Sequence, residues 1–210
     1  MEYERSTKFL NINDYEYIVS IGNKCPTAMI LKKLNLYKES FPFDSIPISP
    51  FLINKYLKTQ EDFYPKKNSV CNDDGVWFGH FSIDKDYTNT IQTFKRRFER
   101  LFDILQNKKK ILFVYTSEAD IYNEGNNRYN DNYAEIQKMA DYIINTYNYS
   151  QFKILCIHTN KSFSDTNNII NYTINVAHEF LSDDASTHVE KTTSTYRNTL
   201  YNLCKEIFKI

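Results

Sequence analysis

Four cysteines and four histidines are the residues of this chain best suited to covalent chemistry, and their surroundings separate them. Cys25, Cys71, Cys156 and Cys204 stand singly with no CxxC pair, so neither a zinc ribbon nor a thioredoxin-type redox site is expected. Cys156, in the apolar run FKILCI, and Cys204, in YNLCKEIF, read as small buried hydrophobes. Cys71 falls in the polar loop KKNSVCNDDG. Cys25 differs, because Pro26 and the periodic segment TAMILKKLNL follow it directly, which makes it the cap of a helix N-terminus. At that position a sulfur lies beside free backbone amides and the positive end of the helix dipole, a setting that lowers a thiol pKa and suits a thiolate nucleophile.

A nucleophilic thiol needs a base to hold and return its proton, and the usual partner is histidine. His80 sits in VWFGHF, where Gly79 permits close approach, and His158 follows ILCI at the carboxyl edge of a strand, where α/β sites form. His178 and His188 lie in less patterned sequence. Spacing alone leaves His80 and His158 both open. A phosphate site at the Gly22–Lys24 turn would use the same helix N-terminus, but a single glycine without phosphate-loop spacing speaks against it. No motif points to a metal or another cofactor, and none is expected.

The elements that must position these groups are legible from periodicity. Tyr17–Ile21 (YIVSI) reads as a strand, followed by the Cys25 turn and a helix with Ala28, Leu31 and Leu34 inward. SFPFDSIPISPF, with three prolines, reads as an ordered extended loop, and Phe51–Leu57 as a short helix. VWFGHF (Val76–Phe81) reads as a strand carrying His80. Thr90–Gln106 is a helix with an apolar stripe of Phe94, Phe98, Leu101, Phe102 and Leu105. Its other face carries Lys95, Arg96, Arg97 and Arg100 and reads as solvated. Ile111–Tyr115 and FKILCIHT are continuous apolar strands joined by a helix over Tyr133–Tyr147, a βαβ unit that implies parallel pairing. Asn171–Phe180 reads as a further strand and Thr195–Phe208 as a closing helix. The expected fold is α/β or α+β, a central mostly parallel sheet flanked by helices, with residues 1–210 forming a single domain.

The stretch YIVSIGNKCPTAMILKKLNLYKESFPFDSI resembles the opening signature of a poorly characterised family of papain-like cysteine peptidases found in bacteria, plants and large DNA viruses. The family's pattern is carried here by Ser20-Ile21-Gly22, Cys25, Leu31, Leu34, Leu36, Ser40, Pro42, Phe43 and Asp44. Gly79–Phe81 looks like its histidine block, and KRRFERLFDIL with ILFVY like its basic helix and following strand, so the resemblance spans about the first 115 residues. It implies a papain-like nucleophile helix after the first strand, with Cys25 as nucleophile and His80 as general base and later acid. The Cys25 amide and the Asn23 side chain would stabilise an oxyanion. Asp44, Glu118 or Asp120 would orient the imidazole. A protein or peptide would be the substrate. The chain departs from the pattern at Phe81, where the family often has an acidic residue, and at Ser45, where Trp is usual. Phe81 motivates an alternative expectation, a catalytically inactive relative that binds a partner protein.

Composition narrows the remaining classes. The chain has 210 residues, 26 Lys+Arg against 26 Asp+Glu and 16% aromatics, enough to build a core and without the net basic charge of a nucleic-acid binder. No apolar run approaches the ~18 residues that span a bilayer. The segment MEYERSTKFLNINDYEY lacks the charged-then-apolar layout of a secretory leader, so a disulfide framework is not expected and a cytoplasmic location is. The 17 Tyr and 15 Phe, with abundant Asn, Lys and Ile, fit an AT-rich genome, and for a viral source the location would be the host cytoplasm.

Overall fold

The computed structural model describes residues 2–3, 8–22, 25–81, 83–117, 133–176 and 187–210, with side chains in the last helix described from residue 194. Its centre is a five-stranded sheet in the order β1-β5-β4-β3-β2. The strands are β1 (Glu2–Tyr3), β2 (Tyr17–Ser20), β3 (Ile111–Thr116), β4 (Phe152–Thr159) and β5 (Ile169–Asn175). β2 through β5 pair in parallel, and the two-residue β1 runs antiparallel along β5. The helices are α1 (Pro26–Lys33), α2 (Pro50–Lys58), α3 (Ile83–Gln106), α4 (Tyr133–Tyr147) and α5 (Thr187–Phe208).

Alternation along the strands divides the core into two. Val19, Phe113, Tyr115, Ile154 and Cys156 face a layer that includes Leu52 and Tyr56 of α2, Phe94 and Phe98 of α3, and Ile136 and Ile143 of α4. Leu112, Val114, Leu155, Ile157 and Ile174 face Ile30 and Leu31 of α1 and Leu200, Leu203 and Ile207 of α5. Because both faces are covered, β3 and β4 are apolar almost without interruption, the pattern of a buried parallel strand. Phe63 sits at the centre of the first layer, edge-on to Phe43, Tyr56, Phe78, Phe94 and Phe98 at ring separations of 5.0 to 6.0 Å.

Local chemistry sets the helix ends that matter here. Pro26 occupies the first turn of α1, where its missing N–H costs nothing. At the other end Asn35 adopts φ 57°, and the Leu36 N–H donates to the Leu31 carbonyl while the Asn35 N–H donates to that of Lys32, a Schellman motif that seats Leu36 in the core. α2 starts at Ser49, whose hydroxyl accepts from the Leu52 N–H, with Pro50 next. α3 is kinked at Asp86 (φ −150°, ψ 60°), and the Asp86 carboxylate accepts from the Asn89 N–H, so the long straight helix begins close to the expected Thr90.

Two expectations are corrected. VWFGHF is not a sheet strand: Trp77 makes an isolated bridge with Cys71, and the Phe81 N–H donates to the Phe78 carbonyl as the chain turns. Val76 and Phe78 alternate because they plug the aromatic layer, not because a strand flanks them. The last strand is shorter than Asn171–Phe180 and starts earlier, at Ile169, while residues 177–180 lie outside the described residues. β4 and β5 are joined by residues 160–168 without a helix, an extended strap back along the sheet that the usual helical crossover does not foretell.

Candidate active site

β2 ends at Ser20, and Ile21 remains tied to β3 through its N–H, which donates to the Val114 carbonyl at 2.9 Å. Gly22 then passes directly under Thr27 of α1. A Cβ at Gly22 would stand 1.7 Å from Thr27 Oγ1, so only glycine fits. The Thr27 hydroxyl meets that of Thr116, at the end of β3, at 2.6 Å in a fully buried pair. This contact fixes the first turn of α1 against the carboxyl edge of the sheet. Cys25, immediately before it, is the helix cap (φ −53°, ψ −33°) and is half-buried.

The fold brings His80 to this thiol. Cys25 Sγ lies 3.4 Å from His80 Nε2, across 55 positions of sequence, and 3.6 Å from the Ser45 carbonyl oxygen. A thiol has one proton, so it donates to one of these acceptors at a time. Ser45 adopts φ 60°, the left-handed region, which carries the chain past Asp44 and turns that carbonyl toward the sulfur.

His80 itself stands on the exposed turn after Trp77. The Trp77 and His80 rings are edge-to-face, 5.3 Å apart at 70°. Asn72 holds this turn in place: its side-chain oxygen accepts from the N–H groups of Asp74 and Val76, and its amide donates to the Tyr56 hydroxyl and the Phe63 carbonyl. Phe81, the residue after His80, packs on Phe94 at 4.6 Å, and the Arg97 guanidinium lies over both rings at 5.6 and 5.3 Å. The position that departs from the family pattern is thus an aromatic contact in the helical layer.

Asp44 is 2% exposed. Its Oδ2 accepts from the Phe41 N–H and the Tyr37 hydroxyl, both at 2.7 Å, and Ser40 Oγ lies 2.8 Å from the same tyrosine oxygen. Since Tyr37 has one proton, it donates to Asp44 and accepts from Ser40. Among the described residues Asp44 Oδ1 has no hydrogen-bond partner. Burial raises the Asp44 carboxyl to about 6, against the opposing pull of the Phe41 and Tyr37 hydrogen bonds and the charges of Arg97 and Lys32. Burial, with the Asp44 charge, pushes Tyr37 up to about 12. Asp44 therefore braces the loop that presents Ser45, and none of its hydrogen bonds reaches His80.

The other expected site residues fall elsewhere. His158 is fully buried on β4, with Nε2 2.9 Å from Asn171 Oδ1 and rings of Phe163, Tyr133 and Tyr115 around it at 4.7 to 6.2 Å. It ties β4 to β5 and the strap and is not the partner of Cys25. Asn23, Glu118, Asp120 and His178 lie outside the described residues, as does the side chain of His188. Cys156 and Cys204 are buried, and burial raises the Cys204 thiol to about 12. Cys71 is half-buried beside Trp77. The basic face of α3 is only partly solvated, since Arg100 pairs with Glu39 and donates to the Ser40 carbonyl. Thr27, Thr116, Ser45 and Trp77 shape the site without a sequence signal of their own, except that Gly22 and Gly79 mark where Thr27 and Trp77 press on the backbone.

Among the described residues no group of three His, Cys, Asp or Glu side chains is placed to hold a metal ion, and no helix is long and apolar enough to cross a membrane. Comparison with family models, curated proteins and solved structures finds no match.

Proposed function

We propose that this chain is a cysteine-dependent hydrolase or acyl-transfer enzyme of papain-like type, acting on an amide, isopeptide or thioester carbonyl of a protein or peptide. The observation that carries the reading is the 3.4 Å approach of Cys25 Sγ to His80 Nε2 at the N-terminus of α1. A thiol, a base within hydrogen-bond reach and a helix start beside the sulfur are the parts that nucleophilic acyl transfer needs.

In this mechanism His80 Nε2 holds the Cys25 proton, and the thiolate Sγ attacks the substrate carbonyl carbon, whose π electrons move to oxygen. The Cys25 backbone N–H at the helix start, with the Asn23 side chain as the second donor implied by the resemblance, stabilises that oxyanion. Collapse of the intermediate breaks the bond to the leaving group, which takes the proton back from His80. The resulting thioester is opened by water, or by an amine in acyl transfer, with His80 again accepting and then returning a proton to sulfur. Glu118 or Asp120 is left as the residue that the resemblance offers to orient the imidazole, since the hydrogen bonds of the Asp44 carboxylate go to Tyr37 and Phe41.

A second reading, a partner-binding module without turnover, draws on Phe81 and on His80 having no hydrogen-bond partner other than Cys25 among the described residues. One experiment separates them. In a Cys71→Ser background, peptide-like electrophilic probes should label Cys25 and lose that labelling in Cys25→Ala. Equal labelling of the two proteins would refute the hydrolase reading.

A further inference from the structure

His80 is exposed and sits on a turn, where an imidazole ordinarily samples several rotamers, yet its Nε2 is aimed at Cys25. Among the described residues its ring contact is with Trp77, the chain's single tryptophan. The indole is fixed from beneath. A Cβ on Gly79 would stand 1.8, 2.1 and 2.5 Å from Trp77 Cζ2, Cε2 and Cη2, so the six-membered ring occupies the space that a side chain at position 79 would take. Trp77 is fixed from behind by its bridge to Cys71 and by the neighbouring Phe78 N–H, which donates to the Val70 carbonyl at 2.7 Å. It is nevertheless 40% exposed, so burial in the core does not account for its place.

We propose that Trp77 is the positioning residue of the site: seated on Gly79 and edge-to-face with His80, it selects the imidazole rotamer that points Nε2 at Cys25. The inference rests on the Cys25–His80 reading and adds to it a packing device that limits the ring's rotation. An edge-to-face pair favours one ring placement by roughly five- to tenfold over an unrestrained ring. Gly79 is part of the device, because any side chain there lifts the indole away.

One measurement tests it, the rate of iodoacetamide alkylation of Cys25, in which the C–S bond forms as iodide leaves, followed by peptide mass mapping. At pH 6, Trp77→Ala and Gly79→Ala should each alkylate about five- to tenfold more slowly than wild type, with no difference at pH 10, where the thiol ionises unaided. Trp77→Phe should recover most of the rate at pH 6. Gly79→Ala moves the ring without removing it, so the test stands even if Trp77→Ala does not fold by circular dichroism. Wild-type alkylation at pH 6 by Trp77→Ala or Gly79→Ala, with His80→Ala slow, would overturn the positioning role and leave the cysteine–histidine pair intact. Equal rates for wild type and His80→Ala would instead sink the pair and, with it, the role of Trp77.

Discussion

Replacing Asp44 by asparagine should change how the stability of the fold depends on pH. The carboxyl is 2% exposed and is raised from 3.8 to about 6, chiefly by burial. A carboxyl that binds its proton more tightly in the folded than in the unfolded chain favours folding most at low pH. That advantage is lost as pH rises from about 4 through about 6. A shift of about 2 units at 1.36 kcal/mol per unit corresponds to about 3 kcal/mol between the two plateaus. The Asp44→Asn side chain would keep the oxygen that accepts from Tyr37 and Phe41 and would place an amide where Oδ1 now has no partner, a cost of about 1–3 kcal/mol that does not vary with pH. Urea unfolding of both proteins between pH 4 and pH 7.5 isolates the effect, because every other group is common to the two. The difference, wild type minus Asp44→Asn, should fall by about 2 kcal/mol across that range, because the unfolded carboxyl is already half ionised at pH 4. Parallel curves would show that Asp44 is solvated or paired and that the account of the Ser45 loop is wrong.

Thr27→Val leaves the Thr116 hydroxyl buried without its 2.6 Å partner, so unfolding should register a loss of about 1–3 kcal/mol and Cys25 alkylation at pH 6 should slow as the helix start loosens. Gly22→Ala forces a Cβ to within 1.7 Å of Thr27 Oγ1; thermal unfolding should place it below Thr27→Val in stability. Phe63→Ala opens a cavity at the centre of six aromatic contacts and should cost about 3–5 kcal/mol in denaturant titration, a destabilisation that leaves the pH profile of Cys25 alkylation unchanged in the folded fraction.

Much of the architecture was legible because burial on two faces leaves a direct trace. β3 and β4 are apolar runs bounded by turn residues, and Tyr133–Tyr147 carries a helical stripe between them, so the parallel unit could be read without coordinates. The same signal misled at Val76–Phe81, where alternation reports burial of Val76 and Phe78 against helices and says nothing of a neighbouring strand. The helix-free link from β4 to β5 was hidden because strand pairing is a long-range choice. At the site, Pro26 and the following stripe marked Cys25 as a helix cap from local rules alone. Spacing could not choose between His80 and His158; the choice came from the resemblance, and the geometry pairs Cys25 with His80. Asp44 stood in the motif beside them, but its partners Tyr37 and Phe41 follow from the path of the loop, which local sequence does not encode.

The central claim is that Cys25 and His80 share a proton as a working pair. Thiolate absorbance near 240 nm, recorded against pH as the difference between wild type and Cys25→Ala, reads this directly. The expected result is a thiolate band already present well below pH 7 that disappears at that pH in His80→Ala. A band that emerges only near the ordinary thiol value of about 8.5, with or without His80, would contradict it.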